Sequence, residues 1–165
     1  FGLDHDKYIG SPVKNNNPHP AVTSFFILQR LEPQLELARN KGAFNFSDTR
    51  YFDSLFRSLH NIIPSEKPSL IHGDFWSGNF MVTPEGSPCL VDPAVYYGHR
   101  EADIAMSLLF GGFNNSFYEA YNQAWPMEKG WQKRTDILNL YPLLVHVNLF
   151  GGGYARQVLQ IIRQF

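Results

Sequence analysis

The chain has 165 residues, of which 44% are hydrophobic and 15% aromatic, and its formal net charge is −1. This composition is typical of one globular domain and excludes an intrinsically disordered chain. The near-neutral charge gives no electrostatic basis for binding nucleic acid or an anionic membrane, so we expect neither partner. The single cysteine, Cys89, lies in an apolar run. We therefore expect a buried thiol in a reducing, cytoplasmic compartment.

The first 40 residues are predicted to form a loop followed by a helix. Residues 1–20 are rich in Gly, Pro and Asn, which is typical of a loop. Over residues 21–40 the apolar side chains recur at near-helical spacing. Pro33 falls inside this run, and we expect it to kink the helix or to divide it in two.

A second helix is predicted to begin at Ser47, followed by a connector over residues 64–68. Ser47 and Asp48 are its candidate capping residues. Its apolar face is formed by Phe52, Leu55, Phe56 and Leu59.

Three short, buried strands are predicted next, over residues 70–71, 80–82 and 89–91. The last two are joined by residues 83–88, whose Pro, Gly and Ser residues are typical of a hairpin turn.

The remaining chain is predicted to be helical. Glycines separate the helices, and Pro142 is expected to kink one of them. The expected helices cover residues 101–109, 114–124, 130–149 and 153–164. The sequence thus predicts a mostly α-helical domain with a small central β-hairpin.

The central hairpin carries a set of polar residues typical of a phosphoryl transferase. In protein kinases, H-R-D-x-x-x-x-N is followed on the next hairpin by a metal-binding Asp. Here the HGD of residues 72–74 is followed by Asn79, and Asp92 follows the hairpin. Asp74 is then predicted to be the catalytic base, with Asn79 and Asp92 as Mg²⁺ ligands against the nucleotide phosphates. The alternative is that Asp74 and Asn79 only organise a tight loop and that Asp92 caps a turn before Pro93.

Longer motifs around this set resemble the fructosamine kinase (ketosamine-3-kinase) family. They are HGDFWSGN from residue 72, DPAVYYGHREADIAM from residue 92, and FGGF from residue 110, followed by SFYEAY. FGLDHDKYIG, RLEPQLELA and HVNLFGGGY fit the same family, so the resemblance runs nearly end to end. Aminoglycoside and choline kinases share the HxDxxxxN loop but lack Trp76 and the DPAVYYGH run.

The resemblance implies the C-terminal lobe of a protein-kinase-like, aminoglycoside phosphotransferase-like α+β fold. It also implies ATP and Mg²⁺, and transfer of the γ-phosphate to a sugar hydroxyl of a ketosamine, a glycated amine, in deglycation repair. Asp74 would then orient that hydroxyl. Trp76 would pack against the sugar or its amine, with packing in the core as the alternative.

Three further residues have predicted roles at this site. His72 is expected to brace the loop rather than to act chemically. Asp103 either complements the dipole of the helix that it opens or hydrogen-bonds back to the loop backbone. His146 either reaches the substrate pocket or is a satisfied core histidine.

Several parts of a complete kinase are not found in this sequence. There is no Gly-rich phosphate loop and no strand Lys with a partner Glu, because Lys7 and Lys14 both lie in the predicted loop. We therefore expect residues 1–165 to be a single domain, the catalytic C-terminal lobe, with the N-terminal nucleotide-binding lobe absent. Such a lobe would be inactive alone and would self-associate through the exposed surface. Two alternatives are a kinase for an aminoglycoside, choline or homoserine and a non-catalytic module that binds glycated amines.

Overall fold

The computed structural model describes residues 1–8 and 13–165. The helices are α1 (Val22–Phe26), α2 (Glu32–Asn40), α3 (Phe46–Ile62), α4 (Glu101–Phe110), α5 (Asn115–Ala124), α6 (Trp131–Leu138), α7 (Leu140–Phe150) and α8 (Gly153–Ile162). The strands are β1 (Lys7–Tyr8), β2 (Val13–Lys14), β3 (Ser69–Ile71), β4 (Phe80–Val82), β5 (Pro88–Leu90) and β6 (Tyr96–Gly98). The predicted mostly helical fold is confirmed. In the described ranges, none of the helices combines the length and apolarity that crossing a bilayer requires.

The strands form three antiparallel pairs, β1 with β2, β3 with β6, and β4 with β5. The predicted β4–β5 hairpin is confirmed. The prediction of a continuous loop over residues 1–20 is wrong, because β1 and β2 pair there; residues 9–12 of that loop lie outside the described residues. Strands of two residues are too short to show an alternating pattern, so this pair has no signal in the sequence.

Pro33 divides the first predicted helix, as expected. A π-helical turn, Ile27–Leu31, separates α1 from α2, and Pro33 lies in the first turn of α2. Proline has no N–H to donate to the carbonyl four residues earlier, that of Gln29. The guanidinium of Arg30 donates to this carbonyl instead, at 2.9 Å.

Helix α3 begins one residue earlier than predicted because its cap is Asn45 rather than Ser47. The Asp48 N–H donates to Asn45 Oδ1 at 3.1 Å, and the Asn45 N–H donates to Asp48 Oδ2 at 3.0 Å. This reciprocal pair is a capping box, so Asp48 takes part in the cap as its second member.

The single helix predicted over residues 130–149 is wrong, since the chain breaks at Asn139 into α6 and α7. The Asn139 side chain donates to the carbonyl of Ala105 on α4 at 2.8 Å. Pro142 lies in the first turn of α7, where no intrahelical N–H is needed, so it begins a helix rather than kinking one.

The main core lies between α2, α3, α7 and α8. It includes the buried residues Leu35, Phe52, Leu55, Leu59, Leu144, Val147, Val158 and Ile162. A second, smaller cluster of Phe25, Ile71 and Tyr96 lies beneath the β3–β6 pair. The helical part of the chain therefore supplies most of the buried apolar surface.

The β4–β5 hairpin is much more exposed than predicted. Phe80 and Leu90 are paired across the strands and so share the face that meets Phe113, whereas Met81 and Cys89 lie on the other face. Met81 is 56% exposed, and the Cys89 thiol is exposed rather than buried. An apolar run predicts a buried strand only where both faces are covered, and this hairpin lies at the edge of the domain.

Candidate active site

Residues 72–79 form the loop between β3 and β4, and a glycine allows the loop to pack closely. Gly73 has a φ of +79°, and a Cβ at this position would lie 2.3 Å from the carbonyl oxygen of Ala94. The loop therefore contacts the segment after Asp92 backbone to backbone. Only glycine permits both the conformation and this approach.

Asp74 and Asn79 lie in direct contact within this loop. The Asn79 Nδ2 donates to the carbonyl of Asp74 at 2.8 Å and to Asp74 Oδ2 at 3.1 Å. The amide nitrogen is thus committed to Asp74. The amide oxygen of Asn79 stays available as a neutral oxygen ligand.

Asp92 is the one non-glycine residue with positive φ, at +52°, in the described part of the chain. The backbone on either side of it is hydrogen-bonded to the loop. The Val91 N–H donates to the Asn79 carbonyl at 3.0 Å, and the Ala94 N–H donates to the His72 carbonyl at 2.9 Å. Asp tolerates this left-handed conformation better than most residues. Its exposed carboxylate makes no hydrogen bond within the described residues.

The donor set fits Mg²⁺ that is shared with a nucleotide. Asn79 and Asp92 offer an amide oxygen and a carboxylate, which are ligands that Mg²⁺ prefers. Across the described residues, no group of three His, Cys, Asp or Glu side chains could hold a metal ion. Mg²⁺ commonly takes its remaining ligands from water and substrate phosphates, so two protein ligands are enough for an ion of that kind.

His72 connects the loop to the end of the hairpin. Its Nε2–H donates to the Val91 carbonyl at 3.0 Å, and its Nδ1 accepts from the Asp74 N–H at 3.3 Å. Because a carbonyl oxygen can only accept, the contact with Val91 places the proton on Nε2.

Asp103, in the first turn of α4, holds two consecutive N–H groups of the loop. Its carboxylate accepts from the His72 N–H at 2.7 Å and from the Gly73 N–H at 2.9 Å. Burial raises the pKa of the Asp103 carboxyl above its ordinary value, while these two hydrogen bonds act to lower the pKa. The carboxylate therefore anchors the loop to α4 immediately before Asp74.

A cavity of about 280 Å³ opens beside Asp74. It is lined by Asp74, Trp76, Met106, Phe110, Pro142, Val145, His146, Leu149 and Phe150. The structure thus brings Asp74, Trp76 and His146 to one cavity, whereas Asn79 and Asp92 are not among its lining residues.

Trp76 and His146 have defined supports in this cavity. The Trp76 ring lies over Gly78, where a Cβ would approach the ring to 2.3 Å. The His146 ring lies 4.9 Å from that of Phe110, and its Nδ1–H donates to the Pro142 carbonyl at 2.8 Å. Trp76 is 38% exposed and is therefore not a core residue.

Two buried charged residues, Arg134 and Lys14, make contacts near the site that the sequence does not predict. The Arg134 guanidinium donates to both carboxylate oxygens of Glu101, at 2.6 and 2.8 Å, and joins α6 to α4. Lys14, assigned to a loop, is fully buried beneath Gly73 and Ala94. Neither contact has a sequence signal, because the partners lie more than 30 positions apart in the chain.

Comparison with known proteins agrees with the family resemblance. The family model for fructosamine kinase matches residues 1–165. A protein assigned as a ketoamine kinase from Enterococcus faecium is 44% identical over all of this chain and 60% of its own length. The chloroplastic protein-ribulosamine 3-kinase of Arabidopsis thaliana is 38% identical over all of this chain and 51% of its own length.

Solved structures agree as well. The crystal structure of a protein assigned as a fructosamine-3-kinase from Thermobifida fusca superposes with a TM-score of 0.91 at 38% identity, covering 99% of this chain and 57% of that one. The chain thus spans roughly half to three fifths of the length of these relatives. The chain belongs to the fructosamine kinase family.

Proposed function

We propose that this chain supplies the catalytic base, the metal ligands and the acceptor pocket of an ATP-dependent ketosamine kinase. The observation that carries the proposal is the position of Asp74. Its carboxylate lines the 280 Å³ cavity and also accepts a hydrogen bond from Asn79. A base at this position lies between the acceptor in the cavity and the metal ligands beside Asn79. Membership of the fructosamine kinase family supports the same reaction.

In the proposed reaction, Asp74 orients a sugar hydroxyl in the cavity. The hydroxyl oxygen forms a bond to the γ-phosphorus of ATP, the bond from that phosphorus to the β–γ bridging oxygen breaks, and ADP leaves. The proton of the hydroxyl passes to the Asp74 carboxylate. Asn79 and Asp92 hold Mg²⁺, which when bound neutralises charge on the phosphates. His72 and Asp103 position the loop without contacting either substrate.

The walls of the cavity suit a ketosamine. An aromatic face packs against the C–H groups of a sugar and attracts a cationic amine, and Trp76 offers such a face beside Asp74. His146 also lines the cavity. The names of the relatives support fructosamines or ribulosamines as acceptors, and the phosphorylation would serve deglycation repair.

We further propose that residues 1–165 act as one catalytic lobe and that a second, N-terminal lobe completes the nucleotide site. The relatives are longer than this chain, and the sequence contains no Gly-rich phosphate loop. The outer face of the hairpin, where Met81 is 56% exposed, would pack against such a lobe. Without it the chain would turn over little substrate and would self-associate through this face.

The direct test is phosphorylation of a ketosamine panel with ATP and Mg²⁺. The panel contains fructosamine and ribulosamine derivatives of a free amino acid, of a lysine peptide and of a protein. The assay compares this chain with a version extended at the N-terminus to the length of its relatives. We expect transfer to a ketosamine by the extended protein and little or none by the chain alone. A folded extended protein that phosphorylates no ketosamine would overturn the proposal, and transfer to choline or an aminoglycoside would replace the acceptor class.

A further inference from the structure

Lys14, on strand β2, places a buried ammonium group directly behind the candidate active site. The residue is 1% exposed. Its Nζ donates to the carbonyl of Ala94 at 2.6 Å and to the carbonyl of Gly73 at 3.4 Å. It also lies 4.2 Å from the centroid of the Tyr96 ring. Across the described residues, the hydrogen bonds and the ring contact of this ammonium are all with neutral groups beside the site.

Burying this charge works against stability. Burial lowers the pKa of the Lys14 ammonium well below its ordinary value, and the nearby charge of Arg30 lowers it further, while the charges of Asp103 and Asp74 oppose the shift only in part. In the described part of the chain, Lys14 forms no salt bridge with a carboxylate that would offset this cost. Replacing a buried charge with an apolar side chain of similar volume is often neutral or stabilising. Stability alone is thus a poor explanation for a lysine at this position.

The two carbonyl partners give the lysine a specific position in the site. Gly73 immediately precedes Asp74, and Ala94 follows Asp92 by two residues. One ammonium group therefore joins the segment that carries the base to the segment that carries a metal ligand. These segments are in close backbone contact, since a Cβ on Gly73 would lie 2.3 Å from the Ala94 oxygen and 2.8 Å from Lys14 Nζ.

We propose that Lys14 is a positioning residue that holds the Asp92 segment at a fixed separation from the Asp74 loop. It acts through Gly73 and Ala94 and touches neither phosphate nor acceptor. Its role in catalysis rests on the proposed kinase function, whereas its role in arranging the metal ligands is measurable without any reaction.

Three variants separate this role from simple support of the fold. Lys14→Met removes every donor and is, like Gln, one atom shorter than lysine. Lys14→Gln keeps an N–H₂ donor. Lys41→Met is the control, because the Lys41 Nζ also donates to a backbone carbonyl, that of Asn148 on α7, at 2.6 Å, and this carbonyl belongs to neither of the two segments that Lys14 joins.

The first readout is binding of Mn²⁺, used alone as a probe for Mg²⁺. Paramagnetic broadening of the Asn79 and Asp92 amide signals gives an affinity for this pair of ligands. We expect Lys14→Met to weaken binding by about tenfold or more, as loss of an outer-shell partner commonly does. The Mn²⁺ affinity of Lys14→Gln should lie between those of Lys14→Met and the wild type. Lys41→Met should bind Mn²⁺ as tightly as the wild type does.

The second readout is chemical unfolding of the same variants. A positioning role predicts that Lys14→Met loses Mn²⁺ affinity while its unfolding midpoint stays near that of the wild type. The proposal is overturned by unchanged Mn²⁺ affinity in Lys14→Met, by a loss that only parallels unfolding, or by wild-type protein that shows no broadening at Asn79 and Asp92.

The third readout is activity of the extended protein. Lys14→Met should lower kcat and raise the KM for Mg·ATP, with little change in the KM for the ketosamine. If the extended wild type phosphorylates no ketosamine, the kinase proposal fails, and the Mn²⁺ and unfolding readouts still decide the role of Lys14.

Discussion

The helical core and residues 69–103, called the catalytic segment after their proposed role, are held together in different ways. In the core, α2, α3, α7 and α8 bury large apolar side chains against each other, and Leu55, Leu59 and Leu144 are fully buried. In the catalytic segment the apolar cluster is small, and order comes from hydrogen bonds between the main chain and Asp103, His72 and Lys14. The core therefore contributes most of the stability, whereas the hydrogen bonds of the catalytic segment fix the positions of its polar side chains.

The difference follows from what each region must do. Under the proposed function, a base and metal ligands must reach their substrates, so they cannot be enclosed in an apolar core. Their positions must instead be fixed from behind by short polar contacts and close backbone packing. Gly73 and the left-handed Asp92 are the two points where the backbone adopts unusual conformations for this purpose.

Buried ion pairs connect the two regions. Glu101, at the start of α4, pairs with Arg134 of α6, and Arg100 donates to Glu66 in the connector at 3.2 Å. These pairs lie between the catalytic segment and the helices. Breaking them should therefore affect both regions.

The largest expected loss of stability comes from Arg134→Met. It leaves the Glu101 carboxylate, which is 2% exposed, buried without its partner. We expect the free energy of unfolding to fall by about 3–5 kcal/mol, measured by urea denaturation. The double variant Glu101→Leu with Arg134→Met should recover most of that loss, because no unpaired charge remains. A double variant as unstable as the single one would contradict this explanation.

Leu144→Ala tests the core directly. Leu144 is 0% exposed, and its truncation leaves a cavity between the helices, so the free energy of unfolding should fall by about 2–5 kcal/mol. Leu90→Ala is the matched change in the catalytic segment. Leu90 is 52% exposed, so its truncation should change the free energy of unfolding by no more than about 0.5 kcal/mol. Equal losses for the two variants would remove the distinction between the regions.

Gly73→Ala and Gly86→Ala separate close packing from backbone conformation. Both glycines have positive φ, so alanine costs about 1–2 kcal/mol at either position. A Cβ meets nothing within 4 Å at Gly86 but overlaps the Ala94 oxygen at Gly73. We expect Gly73→Ala to lower the free energy of unfolding, measured by urea denaturation, by about 1–3 kcal/mol more than Gly86→Ala does. Matching losses would show that the loop has room to move away from Ala94.

The smallest expected effect is a pH dependence from His99. Burial lowers the pKa of the His99 imidazole below its ordinary value, with Glu66 and Glu101 opposing the shift. The unfolded chain therefore binds this proton more readily, and stability should fall as the pH drops below about 6.5. Unfolding curves at several pH values should show a weaker dependence in His99→Gln. The exposed His60→Gln is the control, and a slope unchanged in His99→Gln would exclude this residue as the source.

The sequence predicted the elements that carry strong local signals. The helical face of α3 and the β4–β5 hairpin were read from periodicity and turn residues. The HGDFWSGN motif identified the segment in which Asp74 and Asn79 come into contact. Their chemical roles stay predictions.

Other features were not predictable because they depend on distant partners. Strand β6 forms by pairing with β3 and with Gly2, and the break at Asn139 depends on the carbonyl of Ala105 on α4. Burial of Lys14 depends on two carbonyls far along the chain. The exposure of Cys89 depends on whether a second layer covers the hairpin, and an apolar run carries no information about that.

The central claim is that Asp74 acts as the base in a segment whose geometry is separate from the stability of the core. The most direct test measures ketosamine phosphorylation and unfolding of Asp74→Asn in the extended protein, beside the exposed control Asp53→Asn. We expect Asp74→Asn to lose activity by about 10²–10⁴-fold, because the proton acceptor is removed, while its unfolding midpoint stays unchanged. Asp53→Asn should match the wild type in both. Activity in Asp74→Asn equal to that of the wild type would contradict the account.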